Sequence, residues 1–191
     1  DPNTFVVVYK DTAGSGYGYA KVGTVSSGDS ISFGSSYLFH SSTFETPSID
    51  KIDSTHFITA YRGTSPGLYG NAIVGTVSGS TISFGTVEEF AGSGVTNTSI
   101  VMIDSTHCVV SYYILGERCS AKVGTISGST ISFGTNQQFS PNNGVPNDIT
   151  KLTESAVAII YYDSGNNKGK SVIGIVDTET STIAYGTEQI F

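Results

Sequence analysis

The sequence predicts an all-β protein built from four copies of one unit, and three observations carry that expectation. First, VGTVSGSTISFGT at 74–86 recurs as VGTISGSTISFGT at 123–135, as VGTVSSGDSISFG at 22–34 and, in worn form, as IGIVDTETSTIAYGT at 173–187. The marks at Val22, Val74, Val123 and Ile173 are 52, 49 and 50 residues apart, and those at Ile31, Ile82, Ile131 and Ile183 are 51, 49 and 52 apart. Second, each period holds four strand-like runs punctuated by turn residues. Third, no segment spaces its apolar residues by three and four, as an amphipathic helix would.

The second unit shows the elements in order. PSIDKID (47–53) alternates apolar and polar residues; HFITAYR (56–62) is apolar on both faces; NAIVGTV (71–77) has a central glycine; TISFGTVEEF (81–90) alternates again. Between them stand STH, GTSPGLYG and SGS, and Ser78-Gly79-Ser80 is short enough for a hairpin turn with glycine at positive φ. Four antiparallel strands at a period near 50 describe a blade of a β-propeller. Neighbouring blades would bury both faces of FVVVY (5–9), FITAY (57–61), CVVSYY (108–113) and AVAIIYY (156–162). Gly23, Gly75, Gly124 and Gly174 fit places of close backbone approach. A solenoid would show rungs of about 20 residues, and a sandwich would show no repeat. The expected architecture is one four-bladed propeller domain over 1–191, with blades at about 1–45, 46–95, 96–144 and 145–191.

The first blade lacks its leading strand. Asp1–Phe5 aligns with Asp53–Phe57, the turn after PSIDKID, whereas TSIVMID (98–104) and NDITKLT (147–153) supply that strand to the later blades. The exposed edge is then Thr4, Phe5, Val6, Val7, Val8, Tyr9 and Lys10, a template for another chain. The partner expected there, or on the blade face beside it, is another copy or a longer parent chain. Copies joined head to tail without closing form a filament.

Composition bounds the function. A chain of 191 residues buries about 70% of its unfolded surface. Only 13% of residues are charged and the net charge is −7, with no run of Lys or Arg. Nucleic acid needs a basic footprint, which is missing. No apolar run reaches the roughly 20 residues of a membrane span. A surface rich in Ser, Thr, Asn and Gly suits an extracellular or cell-surface location. Cys108 and Cys119 flank a hairpin expected to turn near Leu115–Glu117, which sets Cys119 opposite Tyr113 or Tyr112 and disfavours a disulfide; Cys108 replaces Phe57, a core position.

The repeat resembles the tandem VGTVSG…ISFG blades of large secreted, cell-surface or phage-associated bacterial proteins, along its whole length. The resemblance implies a propeller or propeller array outside the cell, serving adhesion, display or sugar binding. The fourth copy departs most, with Asp177–Thr180 in place of the Ser-Gly hairpin, as a terminal capping blade would.

Candidate chemistry is sparse. His56 and His107 repeat within DSTH, and Asp53 and Asp104 suit Asx-turns; no serine is set apart from its copies as a nucleophile would be. DSGNN (163–167) gathers Asp163, Asn166 and Asn167, yet calcium needs six or more oxygens and the equivalent loops lack the acids. No metal, cofactor or catalytic set is expected. The candidate binding set is Tyr9, Lys10, Tyr61, Arg62, Tyr112, Tyr113, Tyr161 and Tyr162, which follow the same strand in every copy and would meet on one rim. Tyrosines with an occasional cation suit glycans. The expected function is a non-enzymatic structural or adhesive module of an extracellular assembly, with a lectin-like propeller as the alternative.

Overall fold

The computed structural model describes residues 3–27, 30–64, 67–92, 94–116, 118–140 and 144–191, all of them in strands, turns and loops with no helix. Asp1 and Pro2 of the predicted first turn, and Glu117 of the predicted hairpin, lie outside the described residues. Each repeat folds into its own antiparallel sheet. The first contains β1 (Thr4–Lys10), β2 (Gly18–Ser26), β3 (Ser30–Phe33) and β4 (Tyr37–His40). The second contains β5 (Phe44–Lys51), β6 (His56–Gly63), β7 (Tyr69–Ser78), β8 (Thr81–Phe84) and β9 (Glu88–Ala91). The third runs β10 (Val95–Met102), β11 (His107–Ile114), β12 (Cys119–Ser127), β13 (Thr130–Phe133) and β14 (Gln137–Gln138). The fourth runs β15 (Gly144–Thr153), β16 (Ala156–Asp163), β17 (Lys168–Asp177), β18 (Thr182–Tyr185) and β19 (Gln189–Ile190).

Strand order follows the chain. In the second sheet β5 pairs with β6, β6 with β7, and both β8 and β9 with the far edge of β7; the third and fourth sheets repeat this, and the first begins at β1. The outer run expected as one strand, 81–90, is thus two short strands end to end. Thr81 and Phe84 pair with Ser78 and Gly75, whereas Glu88 pairs with Ala72, a slip of one residue around Gly85–Val87. The break recurs in every sheet, and in the second and third it coincides with a glycine pressed by the next sheet. A Cβ on Gly85 would lie 1.9 Å from the Ser129 carbonyl oxygen of the next sheet, and one on Gly134 would lie 2.0 Å from that of Ser181.

Local chemistry sets the hairpins. Gly79 (φ 61°) and Gly128 (φ 59°) take the left-handed conformation that a two-residue connection between twisted strands requires. The fourth sheet replaces that glycine with a longer loop, in which Asp177 Oδ1 accepts from the amides of Glu179 (2.9 Å) and Thr180 (3.2 Å).

Three apolar cores lie at the junctions between successive sheets. The two inner sheets are covered on both sides: Phe57, Ile58, Ala60 and Tyr61 of β6, and Cys108, Val109, Val110 and Tyr112 of β11, are all buried. The equivalent strand of the fourth sheet is covered on one side only, and β1 of the first is half-buried from Phe5 to Lys10. Ile160 of β16 is exposed, while Ala60 and Ser111 at the same repeat position are buried. Neighbouring leading strands are tied by side chains rather than by a ladder. Ser48 Oγ accepts from the Ile100 amide (3.1 Å) and Asp50 Oδ2 from the Met102 amide (2.7 Å), while Ser99 Oγ donates to Asp148 Oδ1 (2.8 Å).

Candidate functional site

The eight rim residues occupy the same strand end in every sheet, but their environments divide. Tyr61, Tyr112 and Tyr161 are buried. Alternation directs their rings into the junction with the preceding sheet, and a phenylalanine from that sheet inserts beside each. Phe39 lies 5.4 Å from Tyr61 and 5.6 Å from Phe84; Phe90 lies 5.1 Å from Tyr112 and 5.6 Å from Phe133; Phe139 lies 5.5 Å from Tyr161 and 5.6 Å from Tyr185, centroid to centroid. These are the separations at which offset and edge-to-face aromatic pairs attract. Burial pushes the Tyr61 phenol well above its ordinary range. Burial, followed by its bond to Glu188, does the same for Tyr161.

The other rim residues stay accessible. Tyr9 stacks on Tyr19 at 6.0 Å, with Lys21 over its ring at 5.8 Å, and donates to Ser36 Oγ (2.9 Å). Lys10 and Arg62 converge on Glu45, at 3.9 Å for Lys10, and Arg62 also reaches the Val95 carbonyl at 3.4 Å. Tyr113 accepts from the Gly116 amide (3.3 Å), and Tyr162 donates to Asn167 Oδ1 (2.6 Å). The set is therefore not one continuous aromatic rim; half of its rings are seams between sheets, and the cations are already engaged.

The two DSTH turns form as the sequence predicts. Asp53 Oδ1 accepts from the amides of Thr55 (2.7 Å) and His56 (2.8 Å), and Asp104 does the same for Thr106 (2.7 Å) and His107 (2.8 Å). The Thr55 amide is the main reason the Asp53 carboxyl is held down at about 2. Partial burial raises Asp104, but the donors of Thr106 and His107 outweigh it and the net direction is down. Asp, Thr and His look like a nucleophile relay, but the geometry differs. The carboxylate and the threonine hydroxyl both address Nδ1, at 2.8 and 3.1 Å in the first copy, whereas a relay uses opposite ring nitrogens.

In the 163–167 loop, Asp163 meets a cation supplied by the protein. Lys170 Nζ lies 2.7 Å from Asp163 Oδ2 and 2.9 Å from Glu188 Oε2. No cluster of metal-ligating side chains occurs among the described residues. Cys108 and Cys119 are free and buried, and burial pushes both thiols up to about 12. Register explains why they do not pair: Cys119 faces Tyr113, and Cys108 faces Met102 and Gly124.

The edge predicted at Thr4–Lys10 is where the sheets differ most. Ile58, Ala60 and Arg62 of β6 face Asp50, Ser48 and Glu45 of β5, and their counterparts in β1 are Val6, Val8 and Lys10. No strand is paired with that edge among the described residues. Beside it a cleft of about 290 Å³ is lined by Phe5, Val6 and Val22 on one wall and Ile49, Asp50 and Phe57 on the other.

Phe39, Phe90, Phe139 and Phe191 align as the last letter of each outer run, but the insertion of the first three between sheets was not read from that alignment. Sequence reasoning also missed the apolar outer face of the fourth sheet, written as Ile175 where the other copies carry Thr24, Thr76 and Thr125.

No protein-family model matches the chain, and a search of curated proteins finds no significant relative. No helix among the described residues is long and apolar enough to cross a membrane.

Proposed function

We propose that the chain is a non-enzymatic structural module of an extracellular assembly, four blades of a β-propeller-type repeat in which chemistry is subordinate to stacking. The observation that carries the reading is the β1 edge. Among the described residues three sheets have a leading strand paired with their second strand and β1 has no such partner, so Val6, Val8 and Lys10 direct main-chain groups at an open edge flanked by apolar side chains. Such an edge takes a strand or a covering surface from a neighbouring copy or a longer parent, since main-chain hydrogen bonds add affinity without a dedicated pocket. The hydroxyl-rich, lysine-poor surface and the resemblance to secreted repeats support the extracellular location.

The experiment is electron microscopy and light scattering on native material, with surface proteolysis of intact cells to locate it. Regular particles or filaments on the cell exterior support the reading. A monodisperse monomer, or an intracellular pool shielded from protease, overturns it.

A further inference from the structure

We infer that Lys170 and Asp163 condense within the chain into an isopeptide bond, with Glu188 carrying the proton between them. The bond is a modification of the fourth sheet and holds whether or not the module assembles.

Three neighbouring strands bring the groups together. Asp163 ends β16, Lys170 lies on β17, and Glu188 immediately precedes β19, which pairs with the other side of β17. Register sets Lys170 opposite Tyr161, and Asp163 follows two residues later on the same face of the sheet. Lys170 Nζ therefore stands between two carboxylates, 2.7 Å from Asp163 Oδ2 and 2.9 Å from Glu188 Oε2. Asp163 is fully buried and Lys170 is 6% exposed. The face is the one turned to the third sheet, where Tyr161 packs with Cys119 and Phe139. The Tyr161 hydroxyl donates to Glu188 Oε1 and steadies that carboxylate.

The trio is an addition to one copy of the repeat. The Lys170 position holds Tyr19, Asn71 and Ser120 elsewhere, and the Glu188 position holds Ser36, Val87 and Asn136. Tyr112 still donates to Asn136 at 2.9 Å, so capping the tyrosine needs no acid. Folding the unit needs no buried lysine either. A buried ion pair adds little stability of its own, because desolvation offsets the attraction. What the arrangement does offer is a reactive pair held in contact, within the about 3–3.5 Å at which oriented groups react.

The reaction balances without an outside reagent. Burial favours the neutral amine and acid over the two charges, so one proton passes from Lys170 Nζ to the Asp163 carboxylate. The amine then attacks Asp163 Cγ, forming the C–N bond. Charge developing on Asp163 Oδ1 meets the Gly165 amide, which already donates to that oxygen at 2.9 Å. Glu188 takes a proton from Nζ and passes it to the departing Oδ2 hydroxyl. The C–O bond breaks, water leaves, and Glu188 is again a carboxylate. Nothing is oxidised or reduced. The product is a neutral amide that ties β16 to β17 and closes the 163–170 hairpin into a covalent ring.

Intact-mass spectrometry of the purified, denatured chain is the test, and the expected mass is the sequence mass less one water. Tryptic digestion is expected to join peptide 152–168 to the peptide beginning at Gly169, left uncut at Lys170. Lys170→Arg keeps the charge but supplies no amine, and should give the full mass with separate peptides. Asp163→Asn should lose ammonia instead of water and reach the same final mass as the parent. Glu188→Gln keeps an acceptor for Tyr161 but cannot carry the proton, and should slow bond formation about a hundredfold or more. The full sequence mass in the parent after prolonged incubation of the folded protein overturns the proposal and leaves an ordinary ion pair. Loss of water mapped to any other pair of residues overturns the assignment, and an unchanged rate in Glu188→Gln overturns the role of Glu188. The parent's own mass decides the bond even if a variant fails to fold.

Discussion

Phe90 gives the most direct measure of how much the repeated ring-in-socket contact contributes. It is buried at the junction of the second and third sheets, 5.1 Å from Tyr112 and 5.6 Å from Phe133, with its ring pressed on Gly70. Phe90→Ala removes the ring from a site walled by two sheets that cannot collapse independently. The lost transfer energy plus the cavity amounts to about 3–5 kcal/mol, within which the two ring pairs account for roughly 0.5–1.5 kcal/mol each. Against a total stability on the order of 5–15 kcal/mol that is a large fraction, and for a chain of this size it corresponds to a fall in Tm of roughly 10 °C. The matched control is Phe191→Ala in dilute solution, which removes the same ring from an open face and is expected to change stability by no more than about 0.5 kcal/mol. Urea titration followed by far-ultraviolet circular dichroism reads both. A Phe90→Ala loss under about 1 kcal/mol, or a Phe191→Ala loss of similar size to it, would refute the assignment of the inserted ring as the seam between sheets.

Three further outcomes follow from the same contacts. Gly85→Ala and Gly134→Ala each drive a methyl into a carbonyl oxygen of the next sheet and should lower Tm clearly, whereas Gly186→Ala, in open space, should leave it unchanged; thermal melts of the three variants decide. Asp53 and Asp104 are held below their unfolded pKa, so the stability they add is fully present above about pH 4. It is lost as pH falls through the folded value, about 2 for Asp53, and acid titration of Asp53→Asn and Asp104→Asn should show a flatter decline than the parent. Cys108 and Cys119, with thiols near 12 and fully or largely enclosed, should resist a thiol reagent in the folded protein and both react in denaturant; a rapid folded-state reaction at either one would contradict its placement.

The repeat unit was readable because it is written in the alphabet that fixes strands: alternation, β-branched runs, and Gly or Asx at each reversal. The strand at 56–62, the hairpin at Ser78–Ser80 and the Asx-turns at Asp53 and Asp104 all follow from letters within a few positions of one another. The division of 81–90 into two strands was not readable from alternation alone, and neither was the approach of the Ser129 carbonyl, more than forty residues away, to Gly85 within that break. The environments of the tyrosines depend likewise on residues distant along the chain. Equal position in the repeat does place Tyr9, Tyr61, Tyr112 and Tyr161 alike on their strands, but whether a ring is a surface or a seam depends on a phenylalanine from another sheet. Among the described residues Tyr9 has no phenylalanine of another sheet beside it, so identical letters acquire different environments: Tyr61 is buried and Tyr9 is half-open.

The open edge of β1 corresponds to a filled slot in each later sheet. After each inserted ring the chain crosses directly into the next leading strand, from Phe39 to β5 at Phe44 and from Phe90 to β10 at Val95. Each leading strand then lies between its own sheet and the face of the preceding one: β10 pairs with β11 and packs against β5, β6 and β7. On the first sheet the corresponding slot lies outside Val6, Val8 and Lys10, where no strand is paired among the described residues. A strand added there, about 4.8 Å from β1 in the pairing direction, would take up the outward main-chain groups of that edge. The amides of Val6, Val8 and Lys10 should accordingly exchange with solvent near the free-peptide rate in a dilute monomer and about a hundredfold more slowly in assembled particles. Hydrogen exchange read by nuclear magnetic resonance on the monomer, and by quench-flow mass spectrometry on particles, measures both states. Fast exchange at all three amides in assembled particles would show the slot open to water, and the β1 edge would then be no part of the assembly contact.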